Sequence, residues 1–243
     1  MADTFQDLLK RIARVESNFP LGTFNSLGAG GVADYFTAPQ DTIELAAAVQ
    51  AALDQKVPYL VIGQGQGLLF SDGGFPGLVI HNQSSNLVFS SDHSQVVADS
   101  GLSLKRFISV TSSRGLGGLT HLYSESGTIG GAVYANLQGD GGPILSSVRF
   151  LTMLAPPSLL DKRATIIRYP AEWLKSEEGM TKLRALKETK SMEEPQPIIL
   201  TVTFQLTRLR PDELQNRMQI QSSKHPRPGG FGPVFEPIPG DDL

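Results

Sequence analysis

The sequence predicts a mixed fold of the α/β or α+β class, and two observations support this prediction. Segments with helical spacing of apolar residues alternate along the chain with short runs of β-forming residues, as they do in mixed folds. The 25 glycines are unevenly spread, with six in residues 63–77 and nine in residues 115–142. Because glycine permits positive φ and close backbone approach, we expect two loops that line one groove. The alternative is a pair of tight turn regions.

Five segments are predicted to be helical. In the first of them Leu8, Ile12 and Val15 recur at helical spacing. Asp41 opens the second, and Glu44 follows three residues later at the spacing of a capping box. The predicted helices are residues 4–16, 41–54, 103–113, 171–190 and 211–223.

Seven short apolar runs are predicted to be strands. They are residues 57–62, 78–81, 87–90, 95–98, 148–154, 165–169 and 198–206. The last run is the strongest, because apolar residues alternate along it from Ile198 to Leu206. Pro156 and Pro157 end the strand before them, since proline cannot donate to a sheet ladder. The tail, residues 225–243, is rich in proline and glycine and is not expected to form regular structure.

Composition excludes several kinds of function. The 243 residues include no cysteine, which excludes disulfides, thiolate catalysis and cysteine-ligated metals. The 21 basic and 24 acidic residues give a net charge of −3, so neither nucleic acid nor an anionic membrane is expected as a partner. The N-terminus lacks a signal-peptide pattern, and no apolar stretch approaches the ~20 residues of a membrane helix. The expected location is therefore the cytoplasm.

The first glycine cluster does not fit either of two common nucleotide-binding motifs. Gly63-Gln64-Gly65-Gln66-Gly67 follows a predicted strand, but Leu68 stands where the dinucleotide fingerprint G-x-G-x-x-G requires glycine. No Gly-Lys-Ser/Thr sequence follows, which excludes a P-loop. The four histidines have no metal-ligand spacing, so no metal site is predicted.

Four segments together carry a resemblance to a known family. They are TFNSLGAGGVADYF at 23–36, YLVIGQGQGLLFSDGGF at 59–75, RGLGGL at 114–119 and GTIGGAVYAN at 127–136. In order and spacing they resemble the motifs NTF…GGPADYF, VLGGGSNLLVSDEGF and RGLGGLE…GIPGTVGGAVYMNAG of the UDP-N-acetylenolpyruvoylglucosamine reductase (MurB) family. The agreement extends from about residue 18 to residue 238.

The resemblance implies an α+β fold, namely a two-subdomain PCMH-type FAD-binding fold in which the family's third domain is absent. The implied divisions are an N-terminal helix at 1–17, FAD-binding subdomains at 18–80 and 81–210, and a remnant of the substrate domain at 211–243. The implied cofactor is FAD, held by the glycine loops, whose backbone N–H groups suit a pyrophosphate. The implied cofactor-binding residues are Gly63, Gly65, Gln66, Gly67, Leu68, Gly127, Thr128, Ile129, Gly130, Gly131, Ala132, Val133 and Asn136.

The resemblance also implies a reaction, and this sequence departs from the family at residues that perform it. In the family, NADPH reduces FAD, the flavin gives hydride to the enolpyruvyl double bond, and a serine protonates the adjacent carbon. Pro170 stands in place of an arginine that polarises the substrate carboxylate, and Pro233 stands in place of the serine. Tyr169 and Lys175 match the motif around the arginine. No catalytic residue is therefore assigned, since loss of a general acid alone lowers the rate ~10²–10⁴-fold.

We expect a catalytically degenerate homologue that acts as a binding or regulatory protein. The alternative is an active FAD-dependent NADPH oxidoreductase, UDP-N-acetylmuramate dehydrogenase, of peptidoglycan precursor synthesis. Retention of FAD is left open, because the glycine loops favour binding whereas Gln66, Gly67 and Glu125 disfavour tight binding. The apolar tail residues Phe231, Val234 and Phe235 are expected to dock on the groove, on a partner protein or on a second copy of the chain.

Overall fold

The computed structural model describes residues 4–24, 28–65, 68–92, 94–157, 163–175 and 197–224. The helices in these ranges are α1 (Phe5–Lys10), α2 (Thr42–Asp54), α3 (Leu104–Ser113), α4 (Ile129–Ala135), α5 (Ala171–Lys175) and α6 (Pro211–Lys224). None of these described helices combines the length and the apolar character that are needed to cross a membrane.

Four strands in the first third of the chain form one mixed sheet. They are β1 (Val15–Pro20), β2 (Val32–Thr37), β3 (Tyr59–Ile62) and β4 (Phe75–His81), in the order β1-β2-β4-β3. β1 runs antiparallel to β2, whereas β2, β4 and β3 are parallel. Helix α2 covers the sheet, and its buried residues Leu45 and Val49 share a core with Leu78 and Ile80 of β4. This arrangement leaves β3 at the edge of the sheet.

Nine further strands follow in the described ranges. They are β5 (Leu87–Phe89), β6 (Gln95–Asp99), β7 (Leu116–Gly117), β8 (Gln138–Gly139), β9 (Gly142–Pro143), β10 (Val148–Ala155), β11 (Thr165–Pro170), β12 (Ile198–Gln205) and β13 (Thr207–Arg208). Five of them form an antiparallel sheet in the order β11-β10-β12-β6-β5. Phe107 of α3 and Phe204 of β12 are fully buried on this sheet, with ring centroids 4.7 Å apart. Two separate sheets with packed helices confirm the α+β class.

A buried polar network joins the two sheets at residues 82–86. The side-chain amide of Asn82, which follows the first sheet, donates to Ser100 Oγ of the second at 2.8 Å. The carboxylate of Asp99 accepts the N–H of Asn86 at 2.9 Å, and burial raises the pKa of this carboxyl group. The network satisfies polar groups that have left water, and it therefore fixes where the two sheets meet.

The first helix is shorter than predicted, and the prediction of a helix over residues 4–16 is wrong beyond residue 10. α1 begins with a capping box in which Thr4 and Asp7 each accept the other's backbone N–H. It ends at Lys10, and Val15 instead begins β1, where it pairs with Thr37. Val15 is β-branched and suits a strand, which helical spacing alone did not reveal.

The start of α2 follows the prediction in part. The Asp41 side chain accepts the N–H groups of Ile43 and Glu44, each at 2.8 Å, so Asp41 is the N-cap. The Glu44 carboxylate accepts the N–H of Gln40 and not that of Asp41. The second hydrogen bond of the expected capping box therefore involves Gln40, the residue before the N-cap, and not the N-cap itself.

The alternation from Ile198 to Leu206 predicts one buried face, but β12 is buried on both. Val202 and Phe204 are buried as expected, and Ile199 and Thr203 are buried as well. The reason is that β12 is the central strand of its sheet and contacts both α2 and α4. Alternation of apolar residues along a strand indicates that one face is buried, but it does not show whether the opposite face is buried as well.

Several predictions concern residues outside the described ranges. The helix predicted at 171–190 is described as far as the end of α5, and the helix predicted at 211–223 is α6. The tail at 225–243 lies outside the described residues. The divisions at residues 17, 80 and 210 stay predictions, although residue 18 falls inside β1.

Candidate functional site

A cleft of about 560 Å³ lies where the first sheet meets the second. One wall is the edge strand β3 with the loop after it, and the other is α4 with the turn before it. The described lining residues are Tyr59, Leu60, Val61, Ile62, Gly63, Gln64, Gly65, Leu68, Asn82, Ser100, Ser126, Gly127, Thr128, Gly130, Gly131, Ala132, Tyr134, Ala135, Leu137, Pro197, Ile198 and Ile199. The volume lies within the ~300–1,000 Å³ range of small-molecule sites.

The two walls touch at Gly63 and Thr128. A Cβ atom on Gly63 would lie 2.5 Å from Thr128 Oγ1 and 2.7 Å from Thr128 Cγ2, which is closer than real Cβ atoms approach. Position 63 therefore accepts only glycine unless Thr128 moves. Thr128 is itself held in place, because it is the N-cap of α4 and its Oγ1 accepts the Gly131 N–H at 3.3 Å. This contact sets the separation of the walls at this point.

The first backbone N–H groups of α4 are already hydrogen-bonded within the protein. The Ile129 N–H donates to the Leu102 carbonyl at 2.8 Å, and the Gly130 N–H donates to the Ser100 carbonyl at 2.7 Å. Both acceptors lie in the turn that follows β6, so these bonds attach the start of α4 to the second sheet. The helix start consequently offers fewer donors to an anion than an unattached helix N-terminus does.

A side-chain hydrogen bond crosses the cleft beside the contact between the walls. Gln64 Oε1 accepts the N–H of Gly127 at 3.2 Å and so links residues that are 63 positions apart. Gly127 has a φ of +111°, which side-chain-bearing residues rarely adopt. No atom of the described residues beyond its chain neighbours lies within 4 Å of where its Cβ would stand, so these residues leave space beside Gly127 for a ligand atom.

The described lining is uncharged and mostly apolar. It contains no Asp, Glu, Lys, Arg or His side chain, so a charged ligand there depends on backbone N–H groups and hydroxyls. Glu125, which precedes Gly127 by two residues in the sequence, is not among the described lining residues. Tyr134 lines the cleft, and burial raises the pKa of its phenol, which is neutral at pH 7 in any case. The described residues also contain no group of three His, Cys, Asp or Glu that could hold a metal.

The structure brings together eight of the predicted cofactor-binding residues. Those that line the cleft are Gly63, Gly65, Leu68, Gly127, Thr128, Gly130, Gly131 and Ala132. Ile129 and Val133 are instead fully buried in the core beneath α4. Asn136 ends α4 in the left-handed conformation, and its buried side-chain oxygen has no hydrogen-bond partner among the described residues. Gln66 and Gly67 lie outside the described ranges.

Sequence reasoning missed the wall that β3 forms and the polar residues beside it. The apolar residues of β3 indicated a buried strand, but Tyr59, Leu60 and Val61 are each half-buried because β3 is an edge strand. Asn82 and Ser100 directly follow β4 and β6. Their position at strand ends is the sequence signal that could have identified them.

Pro170, which stands at the position of the family's arginine, does not line the described cleft. Tyr169 and Pro170 lie at the end of β11, which is the edge strand of the second sheet, and Pro170 is exposed. Tyr169 stacks on Trp173 with ring centroids 4.2 Å apart. Lys175 is the last residue of α5, and Pro233 lies outside the described residues.

Arg168, like Pro170, lies outside the described cleft. It lies two residues before Pro170 and so shares a face of β11 with it. Its guanidinium group, however, lies 3.9 Å from the ring centroid of Phe150 on the neighbouring strand. This cation–π contact keeps the charge on the surface of the sheet.

Comparison with known families matches residues 33–156, just over half of the chain, to the FAD binding domain. This chain belongs to the FAD-binding domain family. The matched residues include both walls of the cleft, with β3 on one side and α4 on the other.

Curated relatives of this FAD-binding domain protein are UDP-N-acetylenolpyruvoylglucosamine reductases. That of Geobacter metallireducens is 29% identical over 220 residues, which are 87% of this chain and 68% of the relative. That of Lactobacillus johnsonii is 33% identical over 150 residues, which are 60% of this chain and 50% of the relative. The expected resemblance to the MurB family is confirmed, and the match spans half to two thirds of the length of these relatives.

Solved structures share the fold. The MurB reductase of Thermus caldophilus matches with a TM-score of 0.66 at 23% identity, over 87% of this chain and 69% of that one. A solvent-stable cholesterol oxidase matches with a TM-score of 0.58 at 14% identity, over 81% of this chain and 38% of that one. At these identities the likeness concerns the fold, and the predicted PCMH-type FAD-binding fold is confirmed.

We predict that Gly63→Ala lowers the melting temperature whereas Gly131→Ala does not. The first substitution forces Thr128 to move, and overpacking of this kind destabilises a protein by ~1–3 kcal/mol. The second is the matched control, because among the described residues its Cβ would meet only Thr128 Oγ1, at 3.5 Å, and alanine favours a helix over glycine. Thermal unfolding followed by circular dichroism measures both. Equal melting temperatures for the two variants would contradict the tight contact at Gly63.

Proposed function

We propose that this chain binds FAD in the cleft between β3 and α4 and acts as a binding or regulatory protein, without catalysing the reduction. The contact of Gly63 with Thr128 carries the proposal, because it brings both glycine loops to one cleft in a member of the FAD-binding domain family. The residues that the reaction requires are a separate set, and two of those positions hold proline.

The residues of the cleft fit FAD. The apolar wall of β3 suits a planar ring system, and the volume of about 560 Å³ is that of a ligand site. Gly131 is exposed, and the atom nearest to a Cβ there would be Thr128 Oγ1 at 3.5 Å, so the start of α4 leaves room for a close ligand. The described lining presents no carboxylate to oppose a pyrophosphate.

Residues from both walls would hold the cofactor. Gly63 and Gly65 would approach it from the first sheet, and Gly127 and Gly131 from the second. FAD, when bound, supplies a carrier of two electrons, and the protein positions it and excludes water. The neutral phenol of Tyr134 adds a hydrogen-bonding group to the apolar part of the cleft.

Pro170 and Pro233 are the reason to propose that the reduction is lost. Proline has no guanidinium group to polarise a carboxylate and no hydroxyl group to give up a proton. Truncation of a longer chain would remove neither proline, so the proposal does not depend on where the sequence ends.

The second candidate function is the reduction after which the relatives are named. The 29–33% identity to UDP-N-acetylenolpyruvoylglucosamine reductases favours it. The two candidates share the FAD cleft and differ in the reaction. A measurement of bound flavin and a measurement of turnover therefore separate them.

We predict that Gly131→Asp abolishes flavin binding while the protein stays folded. The position has space for a side chain, but the added carboxylate would face the phosphates of the cofactor. The measurement is the flavin absorbance per chain after loading with FAD and desalting, together with the melting temperature. Gly131→Ala is the control for a side chain without charge. Unchanged flavin content in Gly131→Asp would place the cofactor elsewhere.

We predict that the FAD-loaded protein does not oxidise NADPH when UDP-N-acetylglucosamine enolpyruvate is added. Loss of the general acid alone lowers a rate by ~10²–10⁴-fold, from a typical turnover of ~10 s⁻¹. The assay follows NADPH absorbance, and the Thermus caldophilus reductase is the positive control. A substrate-dependent rate within a hundredfold of that control would contradict the degenerate function and support the second candidate.

A further inference from the structure

We propose that the side chain of Gln64 competes with the phosphate groups of the dinucleotide for the backbone N–H of Gly127. The proposal rests on the proposed function, since it takes the cleft between β3 and α4 to be the FAD site. It goes further, because it assigns to one side chain a control over how tightly the phosphates are held.

The hydrogen bond between the two residues is the first argument. Gln64 Oε1 accepts the Gly127 N–H at 3.2 Å, and both residues line the cleft. A ligand that uses this donor must first displace the glutamine oxygen. A change of side-chain rotamer is enough for that, because the backbone of neither loop needs to move.

The Gly127 N–H is important because neighbouring backbone N–H groups are already hydrogen-bonded within the fold. The N–H groups of Ile129 and Gly130 donate to backbone carbonyls of the second sheet at 2.8 and 2.7 Å. Freeing either one would detach the start of α4 from that sheet. The Gly127 N–H instead donates to a side chain, and the described residues leave space for a ligand atom beside Gly127.

The charge of the phosphate decides whether it or the Gln64 side chain accepts the Gly127 N–H. The described lining has no cationic side chain, so phosphate binding there relies on N–H donors. A hydrogen bond to a charged phosphate oxygen is stronger than one to a neutral amide oxygen, so the phosphate displaces Gln64. The displaced bond is nevertheless lost on binding, which weakens the affinity for FAD.

The competing side chain is a departure from the resembling family motif. The resembling motif VLGGGSN has glycine at the position of Gln64, so it provides no oxygen to occupy the N–H on the opposite wall. Gln64 thus adds a side-chain contact at a position where the glycine of the motif has no side chain. The same bond joins the two walls when no ligand is bound.

The test is a comparison of dissociation constants for FAD and for riboflavin, measured by quenching of flavin fluorescence. Riboflavin has the ring system but no phosphate, so it reports on the apolar part of the cleft alone. Gln64→Ala is expected to tighten FAD binding roughly 2- to 10-fold, the worth of one hydrogen bond, and to leave riboflavin unchanged. Gln64→Glu keeps the acceptor and adds a negative charge, so it is expected to weaken FAD binding only.

Gln138→Ala is the matched control, because Gln138 is an exposed glutamine of β8 that bonds to the Asn136 carbonyl and does not line the described cleft. It is expected to change neither constant. Equal or weaker FAD binding by Gln64→Ala, or equal tightening of riboflavin, would contradict the competition while FAD binding by the wild type still stands. Failure of every variant and of the wild type to bind FAD would contradict the proposed function as well.

Discussion

The contact between Gly63 and the side chain of Thr128 is the constraint on which the cleft depends. Gly63 follows the edge strand of one sheet, and Thr128 caps a helix that is attached to the other. A methyl group at position 63 has no space, so the two walls approach as closely as a backbone and a threonine side chain allow. The hydrogen bond between Gln64 and Gly127 and the buried pair of Asn82 with Ser100 lie beside this contact. Together they make one site from two sheets.

The structure places Pro170, which stands in place of the family's arginine, outside the residues that line the described cleft. The cleft is built by β3, α4 and the start of β12. Pro170 lies at the end of the edge strand β11 and is exposed. Proline can therefore stand there in place of arginine without disturbing the packing of the core. A chain can therefore lose the reaction and keep the cleft, and this independence is the physical basis of the proposed function.

The sequence predicted the elements better than it predicted the site. The signal at Asp41 located the start of α2, where Asp41 is the N-cap, and the helix predicted at residues 103–113 is α3. The glycine clusters predicted one groove, but they did not show which glycines face it. Gly74 and Gly115 serve turns outside the cleft, and Ile129 and Val133 face the core. Which glycines face the cleft depends on how the two sheets pack against each other. A local sequence pattern cannot show that Gln64 will contact Gly127, which is 63 residues further along the chain.

Hydrogen–deuterium exchange of the backbone, measured with and without saturating FAD, tests the central claim most directly. One cofactor held between two walls is expected to protect residues 59–65 and residues 126–135 together, since both segments line the cleft. Residues 165–170 in β11 lie outside it and are expected to exchange at unchanged rates. Protection of only one wall, or protection of β11 without the cleft, would contradict the account.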